Sequence, residues 1–165
     1  MKVTLHMAIS IDGFVARKGG DTKWVSDLDF SLFDKRRQEA GCTVMGRTTF
    51  DEVGSMEGIT TIVVTRNPND HTNADNTFFA ASPTTAVELA KSKGHDKILL
   101  AGGGTINGAF LKAGLIDEIF LSVHPVALGD GIKLFGTETT ETKLKLLDTE
   151  KLDDDLVQLH YEVAK

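Results

Sequence analysis

The sequence predicts a single α/β domain, in which a mostly parallel central sheet carries helices on both faces and ends in an antiparallel hairpin. Two observations predict it. Strand patterns of apolar and β-branched residues alternate with helical patterns from residue 3 to residue 124. Two further strand patterns flank an acidic turn between residues 144 and 163. The 165 residues are 41% hydrophobic, enough to bury one core, and no long linker divides them.

The composition excludes several classes of protein. Acidic residues outnumber basic ones by 24 to 18, and the net charge of −6 gives no basic surface for nucleic acid or an anionic membrane. No run approaches the roughly 18 apolar residues of a membrane span. Cys42 is the single cysteine and cannot form an internal disulfide, which is typical of a reducing compartment, so we expect a cytoplasmic protein.

The N-terminal elements follow from periodicity and from glycine stops. Residues 3–11 alternate between apolar and small or polar side chains, which predicts a strand that ends at Asp12-Gly13. Residues 14–16 are predicted to continue into a glycine-containing loop. Residues 27–40 are predicted to form a helix, because apolar side chains at helical spacing share one face and Gly41 provides a stop.

The middle of the chain alternates in the same way. Residues 42–45 and 60–65 read as short buried strands, and Thr48 or Thr49 is predicted to cap a short helix after the first of them. Residues 66–76 are polar and are predicted to form a loop.

The C-terminal half completes the alternation. Residues 78–80 form a predicted strand, and a helix is predicted from Ser82-Pro83 to Gly94. A buried strand over residues 97–101 runs directly into a glycine-led helix over residues 102–114. A strand follows over residues 116–124, and the terminal hairpin turns at the acidic residues 153–155.

The glycines after residue 101 are the strongest local signal. A strand that ends in glycines at a helix start exposes backbone N–H groups where a phosphate can approach, because no Cβ blocks it. The dinucleotide fingerprint is incomplete, since Asn107 stands where its last glycine belongs. A P-loop is excluded by Ala109, which stands where its lysine belongs. The motif alone fits a phosphate site and a ligand-free turn equally.

Two other sheet-end turns carry anion donors. Arg47 with Thr48 and Thr49 follows one strand, and Thr65 with Arg66 follows the next. A lone arginine is usually a solvated surface charge, but three such turns in succession favour a long polyanion. NADPH is such a ligand, with its pyrophosphate at helix N-termini and an arginine near its 2′-phosphate.

In this order the motifs resemble a known superfamily. Ala8-x-Ser10-x-Asp12-Gly13, Met45-Gly46-Arg47-Thr48-Thr49-Phe50, Ile62-Val63-Val64-Thr65-Arg66 and Gly102-Gly103-Gly104 resemble the dihydrofolate reductase-like proteins. The closer resemblance is to the C-terminal reductase domain of the bacterial bifunctional riboflavin-biosynthesis deaminase-reductase, and it includes residues 115–129. The resemblance spans nearly the whole chain. It implies the three-layer dihydrofolate reductase-like fold for residues 1–165 and NADPH as the cofactor.

The resemblance also implies which residues hold NADPH. Ala8 and Val15 would contact the nicotinamide carboxamide, and Arg47 would lie near the 2′-phosphate. A cis peptide bond is implied within the glycines at 102–104. The residues that the resemblance assigns to the cofactor are Ala8, Val15, Gly46, Arg47, Thr48, Thr49, Thr65, Arg66, Gly102, Gly103, Gly104, Thr105 and Ile106.

The substrate half departs from both relatives. Lys23 precedes Trp24 where dihydrofolate reductases carry proline, and Ile59 stands where they carry the arginine for the folate carboxylate. His6 replaces a lysine of the riboflavin reductases, and Ala101 replaces their glutamate. The substrate is therefore not identified. His6, Trp24 and Ser122 are the candidates for contacting it.

Asp29 is the candidate catalytic residue. Hydride transfer to a C=N or C=O group requires a proton donor nearby, and burial among aromatic residues would raise the pKa of Asp29. The alternative is an ordinary acid at a helix N-terminus, favoured by the helix dipole. The five histidines show no metal-ligand spacing, so no metal is expected.

These observations predict an NADPH-dependent reductase of the riboflavin-biosynthesis type, 5-amino-6-(5-phosphoribosylamino)uracil reductase-like, acting on a small substrate. Two alternatives stay open. One is dihydrofolate reductase activity, and the other is a nucleotide- or ligand-binding module without turnover. We expect a homodimer, because the terminal hairpin offers an edge for pairing.

Overall fold

A computed structural model describes residues 1–74 and 76–165 of the chain. The strands are β1 (Lys2–Ser10), β2 (Phe14–Ala16), β3 (Cys42–Gly46), β4 (Thr60–Val64), β5 (Thr77–Ala80), β6 (Lys97–Leu100), β7 (Glu118–His124), β8 (Ile132–Lys133), β9 (Leu144–Lys151) and β10 (Val157–Val163). The helices are α1 (Asp27–Ala40), α2 (Arg47–Val53), α3 (Pro83–Ser92) and α4 (Gly104–Lys112).

The main sheet has the strand order β5-β4-β3-β6-β1-β7-β10-β9. Neighbouring strands run parallel from β5 to β7, and β10 pairs antiparallel with both β7 and β9. The predicted α/β class with a C-terminal antiparallel hairpin is confirmed. Because the first six strands in this order are parallel, their carboxyl ends share one edge of the sheet, where ligands bind in such folds.

Helices cover both faces of the sheet. One face packs on α3 and α4 to form the main core. Its buried side chains include Val3, Leu5, Val44, Ile62, Ala86, Val87, Ala90, Ile98, Leu100, Phe110 and Leu111. The other face of β1 carries His6, which contacts α1. This alternation along one strand places the core on one face and polar side chains on the other.

Local signals set the bounds of α1. The Ser26 hydroxyl accepts a hydrogen bond from the Asp29 backbone N–H at 3.2 Å, which caps the first turn. Gly41 has φ +66°, and its N–H donates to the Arg37 carbonyl, which ends the helix. The predicted span of residues 27–40 is confirmed, and it fixes which side chains of α1 face the sheet.

Two local expectations are wrong. Neither Thr48 nor Thr49 caps α2, because β3 runs straight into the helix and Gly46 is the N-cap, without a side-chain hydrogen bond. Residues 14–16 do not simply enter a loop, since they form β2 and pair with β8. The predicted loop 66–76 holds a short 3-10 turn, and its residue 75 lies outside the described residues. Within the described chain, no helix has the length and apolarity to cross a membrane.

Asp12 connects the turn after β1 to a distant segment. Its carboxylate accepts hydrogen bonds from the Ser10 hydroxyl at 2.6 Å, from the Leu128 N–H at 3.1 Å and from the Gly129 N–H at 2.7 Å. The Ser10 hydroxyl and the two backbone donors lower the pKa of Asp12 to about 2. The contact ties the loop that precedes α1 to the segment after β7.

We therefore predict an acid-dependent contribution of Asp12 to stability. The folded-state pKa lies below the ordinary value of 3.8, so the stabilisation is fully present above that value and is lost as the pH falls towards about 2. Thermal unfolding of the native chain and of Asp12→Asn, measured from about pH 6 to pH 2, checks this. The native chain should unfold at the higher temperature near neutral pH, and the difference should shrink in acid. A difference that does not depend on pH would contradict the prediction.

Candidate active site

Asp29 lies in the first turn of α1 and faces β1 and β7. It is 2% exposed. Its Oδ1 accepts a hydrogen bond from His6 Nε2 at 2.9 Å and from the Ser122 hydroxyl at 2.5 Å. Ala8 and Ser122 are register partners on β1 and β7, which places the serine beneath the helix start. Three of the predicted site residues are thus brought into one hydrogen-bonded cluster.

Arg36 and Gln158 close this cluster into a ring. Arg36 Nη1 donates to His6 Nδ1 at 2.9 Å, and its Nη2 donates to Gln158 Oε1 at 2.7 Å. Gln158 Nε2 donates in turn to the Ser122 hydroxyl at 2.8 Å. A guanidinium has no acceptor, so His6 Nδ1 must carry a lone pair, and the imidazole proton resides on Nε2, facing Asp29.

The ring holds Asp29 as a carboxylate. Burial raises the pKa of a carboxyl group, but the hydrogen bonds from His6 and Ser122 outweigh this, and the pKa of Asp29 lies below its ordinary value of 3.8. Burial lowers the pKa of His6, so a neutral imidazole faces an ionised carboxylate. The prediction of a raised pKa for Asp29 is wrong, because it considered the aromatic neighbours and not the two donors.

Trp24 and His124 support the start of α1. His124 Nδ1 donates to the Ser122 carbonyl at 3.0 Å, and its Nε2 accepts from the Ser26 N–H at 3.1 Å. The imidazole is therefore neutral, and its 4.0 Å approach to Asp29 Oδ2 is not an ion pair. The edge of Trp24 packs on His124 with ring centroids 5.2 Å apart.

A cavity of ≈ 270 Å³ opens beside Asp29. It is lined by His6, Met7, Ala8, Val15, Thr22, Val25, Asp27, Asp29, Phe30, Phe33 and Ala101. Four predicted residues therefore share one cavity: Ala8 and Val15 from the cofactor set, with His6 and Asp29. Trp24 and Ser122 do not line it, so their direct contact with substrate stays a prediction. Ser122 lies behind Asp29.

The glycine turn lies directly beside this cavity. Ala101 lines the cavity, and the next residue begins the turn that leads into α4. The Gly46 N–H donates to the Gly102 carbonyl at 2.8 Å, so the starts of α2 and α4 stand side by side. The cis peptide bond implied by the resemblance is present between Gly102 and Gly103. We call residues 46–49 and 102–105 the glycine cradle.

Glycine is required at the different positions of the cradle for different reasons. A Cβ at Gly46 would lie 2.6 Å from Ile106 Cγ1, and one at Gly104 would overlap the Lys133 carbonyl oxygen. Gly102 has φ +90°, which side chains rarely adopt. At Gly103 the nearest atom to a Cβ would be Thr49 Oγ1, at an ordinary 3.4 Å. Packing or backbone conformation therefore explains three of these glycines, while Gly103 faces space that a ligand can use.

The cradle fits a pyrophosphate. Gly103 is the N-cap of α4 and makes no side-chain capping bond, and the first N–H groups of a helix have no intrahelical partner. The positive end of the helix dipole adds to their attraction for an anion. NADPH bound here would have Gly103, Gly104 and Thr105 at its pyrophosphate, with Ala8 and Val15 at its nicotinamide.

The two arginines among the cofactor candidates lie at the start of α2 and after β4. Arg47 Nε donates to Asp51 Oδ1 at 2.6 Å, and its Nη1 lies 2.7 Å from His71 Nε2. His71 stacks on Phe79 with ring centroids 4.5 Å apart. Arg66 follows β4, one strand further from the cavity. Arg47 is thus held in place beside an aromatic pair.

The contacts of three further cofactor candidates do not indicate a ligand; they are Thr48, Thr65 and Ile106. The Thr65 hydroxyl accepts from the Asn67 N–H at 3.4 Å, and Thr48 lies within the first turn of α2. Ile106 packs on Gly46, and its N–H donates to the Gly103 carbonyl at 3.0 Å. Contact of these three with the cofactor stays a prediction.

Sequence reasoning missed Arg36 and Gln158. Arg36 is seven residues after Asp29, and this spacing places both on one face of a helix. Gln158 alternates with the apolar residues of β10, so it points to the opposite face, towards α1. The helical spacing of Arg36 from Asp29 can be recognised in the sequence. The role of Gln158 becomes recognisable only when its pairing with Ser122 is known.

Comparison with known proteins agrees with this architecture. The model of the RibD C-terminal domain family matches residues 1–158. The uncharacterized protein YwjB of Bacillus subtilis (strain 168) is 30% identical over 169 residues, covering 97% of each chain. Dihydrofolate reductase type 6 of Proteus mirabilis is 31% identical over 131 residues, covering 79% of this chain and 80% of that protein.

A solved structure shows the same fold. A diaminohydroxyphosphoribosylaminopyrimidine deaminase/5-amino-6-(5-phosphoribosylamino)uracil reductase from Thermotoga maritima superposes with a TM-score of 0.78 at 17% identity. The match covers 99% of this chain and 56% of that one. With the family model matched over nearly the whole sequence, the chain belongs to the RibD C-terminal domain family.

Proposed function

We propose that this protein is an NADPH-dependent reductase of the riboflavin-biosynthesis reductase type, which transfers a hydride to a small substrate in the cavity beside Asp29. One observation carries the proposal. The glycine cradle and the cavity join at Ala101-Gly102, so one extended dinucleotide can place its pyrophosphate on α4 and its nicotinamide beside Ala8. Family membership supports a reductase, and the position of the cradle supports the cofactor.

Each residue of the site would have a distinct role in the reaction. NADPH supplies the hydride when bound. Asp29 is ionised and does not hold a proton to donate, so it would orient the substrate and any ordered water that provides the proton. His6 and Ser122 fix the carboxylate by donating to Oδ1. The apolar side chains of Phe30 and Phe33 would cover one side of the substrate.

The oxidation of NADPH tests the proposal. The loss of reduced-nicotinamide absorbance is followed with a panel of small heterocycles and carbonyl compounds, including the phosphoribosylaminouracil named above. Turnover of at least one member is expected. Saturable NADPH binding without turnover of any member would favour the alternative of a ligand-binding module.

Dihydrofolate is a second candidate substrate, favoured by the similarity to dihydrofolate reductase type 6. Ile59 stands where the folate arginine is expected, is 7% exposed and is apolar, so it cannot pair with a carboxylate. We therefore expect dihydrofolate to be reduced slowly or not at all in the same assay.

Arg47→Ala is predicted to weaken NADPH binding much more than NADH binding. A guanidinium that pairs with the 2′-phosphate contributes a charge-assisted hydrogen bond that NADH cannot make. The dissociation constant for NADPH should rise roughly tenfold or more, and that for NADH by less than about twofold. Calorimetric titration of both nucleotides measures this, with Lys91→Ala on the distant end of α3 as the control. Equal losses for the two nucleotides would remove Arg47 from the 2′-phosphate.

We also propose a cytoplasmic homodimer that forms through β9. This edge strand is exposed along its whole length, and Leu144, Leu146 and Leu147 are 42%, 53% and 43% exposed. Unpaired edges with apolar side chains favour pairing with another strand. Light scattering should give the mass of two chains for the native protein and of one chain for Leu146→Lys. A native monomer at micromolar concentration would contradict this proposal.

A further inference from the structure

Arg36 is part of the polar ring around Asp29 but lies outside the cavity. It is not among the described residues that line the cavity, so a substrate held there does not contact it. Its guanidinium carbon lies over the ring of Phe120, 3.7 Å from the centroid, and the other neighbour of that ring is His160, with ring centroids 3.9 Å apart. The position of the guanidinium is therefore restrained by packing as well as by hydrogen bonds.

Two chains of hydrogen bonds connect this guanidinium to one oxygen atom of Asp29. The first runs from Nη1 through the His6 imidazole to Oδ1. The second runs from Nη2 through Gln158 and the Ser122 hydroxyl to the same Oδ1. The donor–acceptor distances lie between 2.5 and 2.9 Å in all five contacts. Both donors to the carboxylate are thus controlled from one side chain.

Arg36 determines the direction of every hydrogen bond in the ring. A guanidinium only donates, so His6 must accept at Nδ1 and carry its proton on Nε2. For the same reason the carbonyl oxygen of Gln158 faces Arg36, and its amide nitrogen donates to Ser122. The hydroxyl proton of Ser122 is then left for Asp29. A side chain without donors at position 36 would leave neither chain with a fixed direction.

Arg36 also keeps His6 neutral. The charged groups that contact the imidazole are Asp29 at Nε2 and Arg36 at Nδ1, while β7 and another part of α1 face it with aromatic rings. Glu39 of α1 and Glu150 of β9 act on Arg36. A second proton on His6 would have to enter at Nδ1, which faces the guanidinium at 2.9 Å. Burial and the Arg36 charge lower the pKa of His6 against the opposing effect of Asp29.

We propose, building on the reductase function above, that Arg36 is a positioning residue, which fixes the protons of both donors to Asp29 without contacting the substrate. The Asp29 carboxylate then faces the reaction in one orientation and with its full charge. Without Arg36, Nδ1 of His6 is free, and the adjacent carboxylate favours a doubly protonated imidazolium. Asp29 would then be neutralised by an ion pair and would act more weakly on the substrate.

Nitrogen NMR of the histidine rings in the cofactor-free protein tests this proposal first. The signals of His6 are identified by their loss in His6→Gln. In the native chain we expect a proton on Nε2, a lone pair on Nδ1 and no titration between about pH 8 and pH 5. In Arg36→Met, His6 should gain a second proton within this range, whereas in Arg36→Lys, which keeps a cation, it should not.

Three results of the NMR experiment would overturn the proposal. One is a native His6 that carries its proton on Nδ1 or titrates in this range, which is decisive even if no variant folds. Another is a His6 that stays neutral throughout in folded Arg36→Met. The third is the same titration in the lysine and methionine variants, because the cation would then have no effect.

The pH profile of turnover separates positioning from a purely structural role. The ratio of kcat/KM in Arg36→Met to that in the native protein should fall by at least roughly tenfold from about pH 8 to about pH 5. The dissociation constant for NADPH should change by less than about threefold. Lys35→Met, which removes a cation from an exposed position of the same helix, is the control and should give a constant ratio.

A constant ratio in Arg36→Met as well would overturn the positioning role. Because the NMR experiment requires neither cofactor nor turnover, its failure is distinct from a failure of the reductase proposal.

Discussion

Asp29→Asn is expected to lower kcat/KM of the substrate found in the NADPH assay by about 100- to 1,000-fold. The carboxamide keeps the shape of the side chain but loses the charge that faces the reacting group. It also has a single oxygen, so the hydrogen bonds that His6 and Ser122 donate to Oδ1 and a contact with the substrate would compete for that atom. The dissociation constant for NADPH should change by less than about threefold, because the cradle is built by α4 and the turn after β3.

The control for this variant is Glu39→Gln, which removes a carboxylate from the exposed end of α1 and should leave kcat/KM unchanged. The pH profile adds a second test. Since the pKa of Asp29 lies below its ordinary value of 3.8, the carboxylate stays ionised as the pH falls from neutrality into the mildly acidic range, and its protonation should cause no loss of activity there. An unchanged kcat/KM in Asp29→Asn would return this residue to the role of an ordinary helix N-terminal acid.

Gly103→Ala is expected to fold normally but to bind NADPH weakly, whereas Gly104→Ala is expected to lose stability. At Gly103 the added methyl group contacts only Thr49 Oγ1 at an ordinary distance, so the protein should fold with an unfolding free energy within about 1 kcal/mol of the native value. The methyl group occupies the space through which a phosphate approaches the N–H groups of α4. NADPH binding should therefore weaken by roughly tenfold or more.

At Gly104 the methyl group meets backbone atoms instead. It would overlap the Lys133 carbonyl oxygen and lie 3.1 Å from the Gly136 nitrogen. Backbone cannot rotate away as a side chain can, so we expect a loss of about 1–3 kcal/mol in stability or failure to fold. Chemical denaturation and calorimetric titration of both variants provide the measurements. A Gly103→Ala protein that is stable and binds NADPH normally would refute the assignment of the pyrophosphate to this turn.

Much of the fold is readable because its signals are local. Ser26 and Gly41 determine the bounds of α1, and each acts within one turn of the helix. The buried parallel strands follow from their runs of β-branched residues. The strand over residues 14–16 was not readable, because it exists only through its pairing with β8, more than a hundred residues away.

The candidate site likewise has one part that can be predicted from local sequence and one part that depends on contacts between distant residues. The glycine turn and its helix are consecutive in sequence, so the cradle could be predicted from the chain. The ring around Asp29 joins His6, Arg36, Ser122 and Gln158, which come from four elements. Its hydrogen bonds depend on strand register and on the rotation of α1. The sign of the Asp29 pKa shift depends on those bonds, and aromatic neighbours alone therefore gave the wrong direction.

A crystal structure of the complex with NADPH tests the central claim most directly. We expect the pyrophosphate oxygens to lie within hydrogen-bond distance, about 3 Å, of the Gly104 and Thr105 N–H groups. The nicotinamide should lie between Ala8 and Val15, with its ring facing the cavity beside Asp29. A nucleotide bound elsewhere on the chain, or a cradle that stays empty at saturating NADPH, would contradict the proposed cofactor site.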